Sequence, residues 1–177
     1  MTKQELRRLM KEAQADFLAS GKAEAESAAL WNAVENSDEF RKSATVLIYM
    51  DIPGEVPTGD FIRKWQNQKE FLIPRVCGDN LELCTWDPEK LVAGYRGILE
   101  PSDDAEKRAP ETVQLALIPG VAFSKDGLRL GRGKGFYDRL LPKLHCICAG
   151  IGFSFRWLDE IPHDSWDVPV STKYRPH

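Results

Sequence analysis

The sequence has no apolar run long enough to cross a bilayer. Its opening stretch, MTKQELRRLMKEAQADF, carries charges where a secretory signal would place an uninterrupted apolar segment. A cytoplasmic protein without membrane contact is therefore expected. Cysteine is scarce: Cys77, Cys84, Cys146 and Cys148 are too few and too irregularly spaced for the disulfide framework of a small secreted domain, and no C-x-x-C pair suggests structural zinc. Cys146 and Cys148 fall two apart in LHCICAGI, on one face of an expected strand, and read as buried free thiols, because unpaired cysteine packs as a small hydrophobe. An excess of positive charge is missing too. The 24 Lys and Arg stand against 27 Asp and Glu, for a net charge of −3 with no long block of one sign, which argues against a general nucleic-acid or anionic-membrane binder. Internal repeats, low-complexity tracts and flexible interdomain linkers are also lacking.

What is present is the composition of a folded domain. The chain has 177 residues, 42% apolar and 29% charged, with 13 glycines, which excludes disorder for the bulk and fits one domain over residues 1–177. Thr2 followed by Glu5 is a capping-box pattern that predicts a helix turning Leu6, Met10 and Phe17 toward a core. After Ser20-Gly21 the helical spacing resumes through Ala28, Trp31 and Val34, so the N-terminus is helical over about 42 residues. TVLIYM, Thr45 to Met50, reads as a buried strand followed by the turn-prone DIPGEVPTGD. Thr58 is placed to cap a helix through Phe61, Ile62 and Trp65. FLIPRV and LELCTW are strands separated by Gly78, Asp79 and Asn80. LALIPGVAF predicts a buried strand ending at Pro119-Gly120, and a helix near Tyr137–Leu141 leads to the strand CICAGIGF. This alternation predicts an α/β fold of three layers, a single domain with a mainly parallel central sheet and a helical N-terminus.

The segment richest in chemistry is Gly127-Leu128-Arg129-Leu130-Gly131-Arg132-Gly133-Lys134-Gly135-Phe136-Tyr137-Asp138-Arg139. Glycines alternating with Arg132 and Lys134 let the backbone turn tightly and present amides to an anion beside two cations. That pattern suits a polyphosphate, although G-x-G-x-G is neither the Walker loop nor the dinucleotide fingerprint. The same glycines could serve only a tight loop with two solvated charges. Asp138 reads either as an acid near a helix N-terminus or as a ligand for magnesium, which needs few protein carboxylates when phosphates fill its shell.

The run RLGRGKGFYDRLL resembles the signature of the 5-formyltetrahydrofolate cyclo-ligase family, also called 5,10-methenyltetrahydrofolate synthetases. KQELRR, YMDIPGEVPT, FLIPRV, GYRGILEP, ALIPGVAFSKDG and GIGFSFRWLDEIPHDSWDVPV agree with the family in order, so the resemblance covers nearly the whole chain. It implies conversion of 5-formyltetrahydrofolate and ATP, with Mg2+, to 5,10-methenyltetrahydrofolate, ADP and phosphate. The formyl oxygen, a poor leaving group, would first take the γ-phosphoryl group; N10 would then attack the formyl carbon and phosphate would depart. No protein nucleophile is required, and no Ser/His/Asp or Cys/His arrangement is evident.

Carried over residue by residue, the resemblance implies that Arg129, Leu130, Gly131, Arg132, Gly133, Lys134, Gly135, Phe136 and Tyr137 form the ATP loop, with Lys3, Gln4, Glu5, Leu6, Arg7 and Arg75 as further ATP contacts. Arg132 and Lys134 would be catalytic, steadying charge on the transferring group. The folate would meet Met50, Glu55 and the Arg132, Gly133, Lys134, Gly135 and Phe136 stretch, and Asp138 would hold the metal. A carboxylate at Glu55 suits the paired donors of a pterin edge. Tyr95, Phe136 and Tyr137 could stack on the pterin or aminobenzoyl rings. Each of these residues has an ordinary alternative: an exposed basic helix face for the N-terminal residues, a surface ion pair for Arg75, a loop acid for Glu55, core packing for the three aromatics. Two positions depart from the family. Ser171 stands four residues after Asp167 where a second Asp is frequent, and Arg96 replaces a frequent aromatic. A monomer is expected; a noncatalytic folate- or nucleotide-binding paralogue and an enzyme for another formylated metabolite are the rival readings.

Overall fold

Capping chemistry determines where the chain first becomes helical. In the computed structural model, which describes residues 1–177, the Thr2 hydroxyl accepts the Glu5 amide at 3.1 Å and the Glu5 carboxylate accepts the Thr2 amide at 2.6 Å, opening α1 (Lys3–Ala19). Leu6, Met10 and Phe17 are buried along it, as predicted. α2 (Ala23–Glu35) buries Leu30 and Val34 and half-buries Trp31, but Ala28 is exposed. Leu30 takes the core face, and a residue two positions away lies nearly opposite on a helix of 3.6 residues per turn. α3 (Asp38–Lys42), capped by the Ser37 hydroxyl, places Phe40 in the core.

Seven strands form the central sheet: β1 (Thr45–Leu47), β2 (Glu70–Cys77), β3 (Asn80–Thr85), β6 (Lys107–Arg108), β7 (Leu115–Ile118), β10 (Ile147–Ile151) and β12 (Thr172–Tyr174). β4 (Leu91–Ala93) and β5 (Leu99–Pro101) make a separate two-stranded hairpin, while β8 (Ala122–Ser124), β9 (Arg129–Leu130) and β11 (Trp157–Leu158) make a small third sheet. The central order is β12-β10-β7-β1-β2-β3-β6, parallel from β12 to β2 and antiparallel beyond. Alternation along the strands gives two apolar faces. Val46, Ile48, Phe71, Ile73, Leu115 and Leu117 pack on Phe17, Leu30, Val34, Phe40 and Phe61. Leu47, Leu72, Ala116 and Ile118 pack on Leu140, Leu141 and Leu144. The fold is therefore the expected three-layer α/β arrangement with a mainly parallel sheet.

Several local expectations need correction. The strand from Thr45 leaves the ladder after Ile48, whose amide still reaches the Leu72 carbonyl at 2.9 Å. Thr58 precedes α4 (Gly59–Trp65) without capping it, because Asp51 captures both its amide and its hydroxyl at 2.9 and 3.0 Å. The strand of LALIPGVAF does end before Pro119-Gly120, yet the following Ala122 and Phe123 enter the third sheet. α5 is Phe136–Leu140. Cys146 lies just outside β10, and Cys146 and Cys148 are half-buried rather than buried, since the sheet's cover thins there and neighbouring Ile147 is exposed.

The topology selects a place for a ligand. From β1 the sheet runs through β2 in one direction and through β7 to β10 and β12 in the other. Such a reversal opens a crevice beyond the carboxyl ends of the two strands at the switch. Tyr49 and Met50 follow β1, and Pro119, Gly120 and Val121 follow β7; all five border one cleft.

Candidate functional site

The cleft encloses about 900 Å³, its mouth included, a size suited to a small-molecule site. The strand alternation of β2 turns Pro74 and Val76 into it. The β4–β5 hairpin adds Tyr95, Arg96, Ile98, Leu99 and Glu100, and Tyr95 meets Phe136 edge-on with ring centres 5.7 Å apart. The glycine-rich segment contributes Arg129, Gly131, Arg132, Lys134, Gly135, Phe136 and Tyr137.

Within the glycine segment, Gly133 and Gly135 adopt φ of +108° and +70°, backbone that side-chain-bearing residues rarely take. Two clamps fix the loop. Arg7 Nε donates to the Gly131 carbonyl at 2.8 Å, and Arg139 donates to the Lys134 carbonyl and to the Asp79 carbonyl of the β2–β3 turn, both at 2.7 Å. Arg132 and Lys134 remain exposed, and the Arg132 guanidinium hydrogen-bonds the Glu55 carboxylate across 77 positions of sequence.

Glu55 is positioned by its own loop. Its amide donates to the Ile52 carbonyl at 3.0 Å and its carboxylate accepts the Ile52 amide at 3.1 Å. Burial raises its pKa, opposed by the Arg132 charge, the Ile52 amide and the Arg156 charge. Tyr49, whose hydroxyl donates to the Val56 carbonyl at 2.7 Å, and Tyr137 are held neutral by burial and by the negative charge of Glu55.

Not every sequence-predicted site residue comes to this cleft. Met50, Glu55, Arg129, Gly131, Arg132, Lys134, Gly135, Phe136 and Tyr137 line it. Gly133 belongs to the same loop, and the Arg7 side chain lies beside it. Leu130 is buried beneath the loop with Leu6, Met10, Ala122 and Ile161. Lys3 is bound instead to Asp164 and Asp167 at 2.7 and 2.5 Å, Glu5 is engaged in the cap, and Gln4 is exposed. Arg75 faces away: with Pro74 and Val76 turned inward, its guanidinium meets Glu82 at 2.8 Å and the Ser102 carbonyl at 2.6 Å.

Asp138 does not line the cleft. It lies 3.6 Å from the buried Arg129, and its Oδ1 is buried without a hydrogen-bond partner. An orphaned carboxylate oxygen is a usable hard donor, and magnesium held mainly by phosphates asks for one or two protein carboxylates. Asp138 therefore fits that ion as a single ligand once its carboxylate turns from Arg129 toward the cleft. Ser171 does not extend the set, because its hydroxyl is hydrogen-bonded to the Cys148 backbone at 3.2 and 3.3 Å.

Sequence reasoning missed Arg156, Arg139 and Glu100. Arg156 is buried behind the Glu55 loop, and Glu100, buried in the cleft wall, accepts the Tyr95 amide at 3.2 Å. An arginine inside the otherwise apolar GIGFSFRWL is a signal that could have drawn attention to Arg156.

The model of the 5-formyltetrahydrofolate cyclo-ligase family matches residues 1–174. Among solved structures, the chain is similar to the Aquifex aeolicus 5,10-methenyltetrahydrofolate synthetase, with a TM-score of 0.88 and 34% identity over 99% of this chain and 90% of that one. It is also similar to the 5,10-methenyltetrahydrofolate synthetase of Mycoplasma pneumoniae, with a TM-score of 0.79, 25% identity and 98% of each chain covered. The Haemophilus influenzae 5-formyltetrahydrofolate cyclo-ligase is 27% identical over 95% of this chain and 94% of its own.

Proposed function

The chain belongs to the 5-formyltetrahydrofolate cyclo-ligase family, and from that membership we propose that it closes 5-formyltetrahydrofolate to 5,10-methenyltetrahydrofolate with ATP, releasing ADP and phosphate. The observation that carries the reading is the meeting of Arg132 and Glu55 at the switch-point cleft, which joins a cationic glycine loop to a buried carboxylate. Glu55 takes the donor edge of the pterin, with Met50 beside it. Lys134, Arg132 and the loop amides hold the phosphates next to the formyl oxygen, aided by Arg7 and Arg129.

The formyl oxygen attacks the γ-phosphorus and ADP leaves. N10 then adds to the formyl carbon and loses its proton; the C–O bond breaks, and the formyl oxygen departs within phosphate. Arg132 and Lys134 neutralise charge as it moves from ATP to the formyl oxygen, and both substrates are held so that each bond forms within one cleft. Magnesium, when bound, neutralises phosphate charge, and Asp138 is the residue that would hold it. Lys3 reaches ATP only if it leaves Asp164 and Asp167, and Arg75 serves the nucleotide indirectly, by bracing the hairpin. The same reading takes residues 1–177 as one domain of a monomeric, cytoplasmic enzyme acting without nucleic acid or membrane, supported by the net charge of −3.

The test is ultraviolet absorbance of the methenyl product after mixing protein, magnesium and 5-formyltetrahydrofolate, with and without ATP. An ATP-dependent rise supports the reading. Folate binding without any rise would leave a noncatalytic binding protein, and a rise only with a different formamide would redirect it to another formylated metabolite.

A further inference from the structure

Arg156 is buried, yet it forms no ion pair. Its guanidinium donates twice to the Gly54 carbonyl, at 3.1 and 2.5 Å, once to the Val121 carbonyl at 2.8 Å and once to Gln14 Oε1 at 2.9 Å. Three parts of the molecule are tied together this way: the loop that carries Glu55, the segment after β7, and α1. Gly54 has φ of +86°, and the Gln14 side chain occupies the space a Cβ there would need. The residue immediately before Glu55 is thus locked from both sides.

Burying a cation without a carboxylate in contact is costly, and here the cost is offset by its hydrogen bonds and by the nearby charge of Glu55. Glu55 exerts the strongest attraction on Arg156, and burial still pulls the guanidinium down to about 10. Conversely, the Arg156 charge helps keep Glu55 ionised against its own burial. The groups facing Glu55 are Arg132 from the glycine loop, Tyr49 from the β1 extension, Tyr137 from α5, and Arg156. Of the two cations, Arg132 is exposed and placed to be drawn toward phosphate, whereas Arg156 is fixed by four hydrogen bonds.

We propose that Arg156 is a positioning residue for the folate half of the site, holding the Glu55 loop in place and keeping the Glu55 carboxylate charged when Arg132 turns to the nucleotide. This rests on the cyclo-ligase reading. In that role Arg156 touches neither substrate and acts only through Gly54 and Glu55.

The experiment measures 5-formyltetrahydrofolate binding to the full chain by tryptophan fluorescence from pH 5 to 9, with steady-state kinetics alongside, for the wild type, Arg156→Gln and Arg156→Lys. Losing the positive charge lets the Glu55 pKa rise, so the acid side of the binding profile should move to higher pH by about one unit in Arg156→Gln. KM for the folate should rise about tenfold while KM for ATP stays within about twofold. Arg156→Lys should restore the profile. Should Arg156→Gln fail to fold, Gln14→Glu keeps the acceptor and sets a counter-charge beside Arg156, and the same upward shift is expected. An unmoved acid limb in a folded variant, or equal losses toward both substrates, would overturn the positioning role while leaving the cyclo-ligase reading intact. A wild-type chain that binds no 5-formyltetrahydrofolate would overturn both.

Discussion

Arg156 and Arg129 are both buried beside the cleft, and they are treated differently by the fold. Arg156 donates four hydrogen bonds, to the Gly54 and Val121 carbonyls and to Gln14 Oε1. Arg129 reaches only the Pro119 carbonyl at 3.3 Å and approaches Asp138 at 3.6 Å, leaving its Nε and the Asp138 Oδ1 without partners. Burial lowers the Arg129 pKa, with Asp138 the first charge to oppose it. Buried polar atoms are rarely left unsatisfied without a reason. The Glu55 side of the cleft is complete before any ligand arrives, whereas the Arg129–Asp138 side has hydrogen-bonding capacity left for one. A folate site built in advance and a nucleotide site finished by its substrate would account for the difference.

Substitutions on the two sides should therefore separate in kinetics. The largest effect is expected from Lys134→Ala, which removes a cation from the transferring phosphoryl group: kcat should fall by about 10²–10³ with folate binding retained. Equal loss of folate binding would erase the division between the sides. Asp138→Asn should weaken magnesium binding, raising the magnesium concentration needed for half-maximal turnover by about 10–100-fold in a metal titration, with the folate KM unchanged. Glu55→Gln belongs to the other side; the folate KM should rise about tenfold and the ATP KM should not.

The smallest effect lies away from both sides, at Glu82. Hydrogen bonds from Lys107 and then Arg75 hold its carboxyl at about 2, below its usual 4.5. Because the folded value is the lower one, this stabilisation is present above pH 4.5 and is lost as pH falls toward 2. Glu82→Gln should lower the melting temperature slightly at neutral pH, and the difference from wild type should vanish in acid. Turnover measured near neutrality should change by less than about twofold, because Arg75 keeps its hydrogen bond to the Ser102 carbonyl that braces the hairpin.

What could be read from the sequence was local. The capping box at Thr2 and Glu5 needs only a few neighbouring residues, as do the two-residue turn between β2 and β3 and the tight turns of the glycine loop. Arg75 was expected at the nucleotide, and its turn away follows from the alternation in β2 only after the structure places Pro74 and Val76 in the cleft. The rest depends on partners distant in the chain. Thr58 would cap α4 were Asp51 not competing for it, and Ala122 joins a third sheet because β9 and β11 pair on either side of β8. Arg132 and Asp138 stand out in the glycine segment and Glu55 enters by resemblance, but the Arg132–Glu55 contact and the Arg129–Asp138 pair bring together side chains that only the folded topology makes neighbours. The role of Arg156 is hidden in the sequence for the same reason: its hydrogen-bond acceptors lie at residues 14, 54 and 121.

The most direct measurement follows the formyl oxygen. 5-Formyltetrahydrofolate carrying ¹⁸O in its formyl group is incubated with the protein, magnesium and ATP, and the phosphate released is analysed by mass spectrometry. Transfer of the γ-phosphoryl group to that oxygen within the cleft predicts one ¹⁸O in the phosphate for each methenyl product formed. Methenyl product accompanied by unlabelled phosphate, with the ¹⁸O in water, would contradict it.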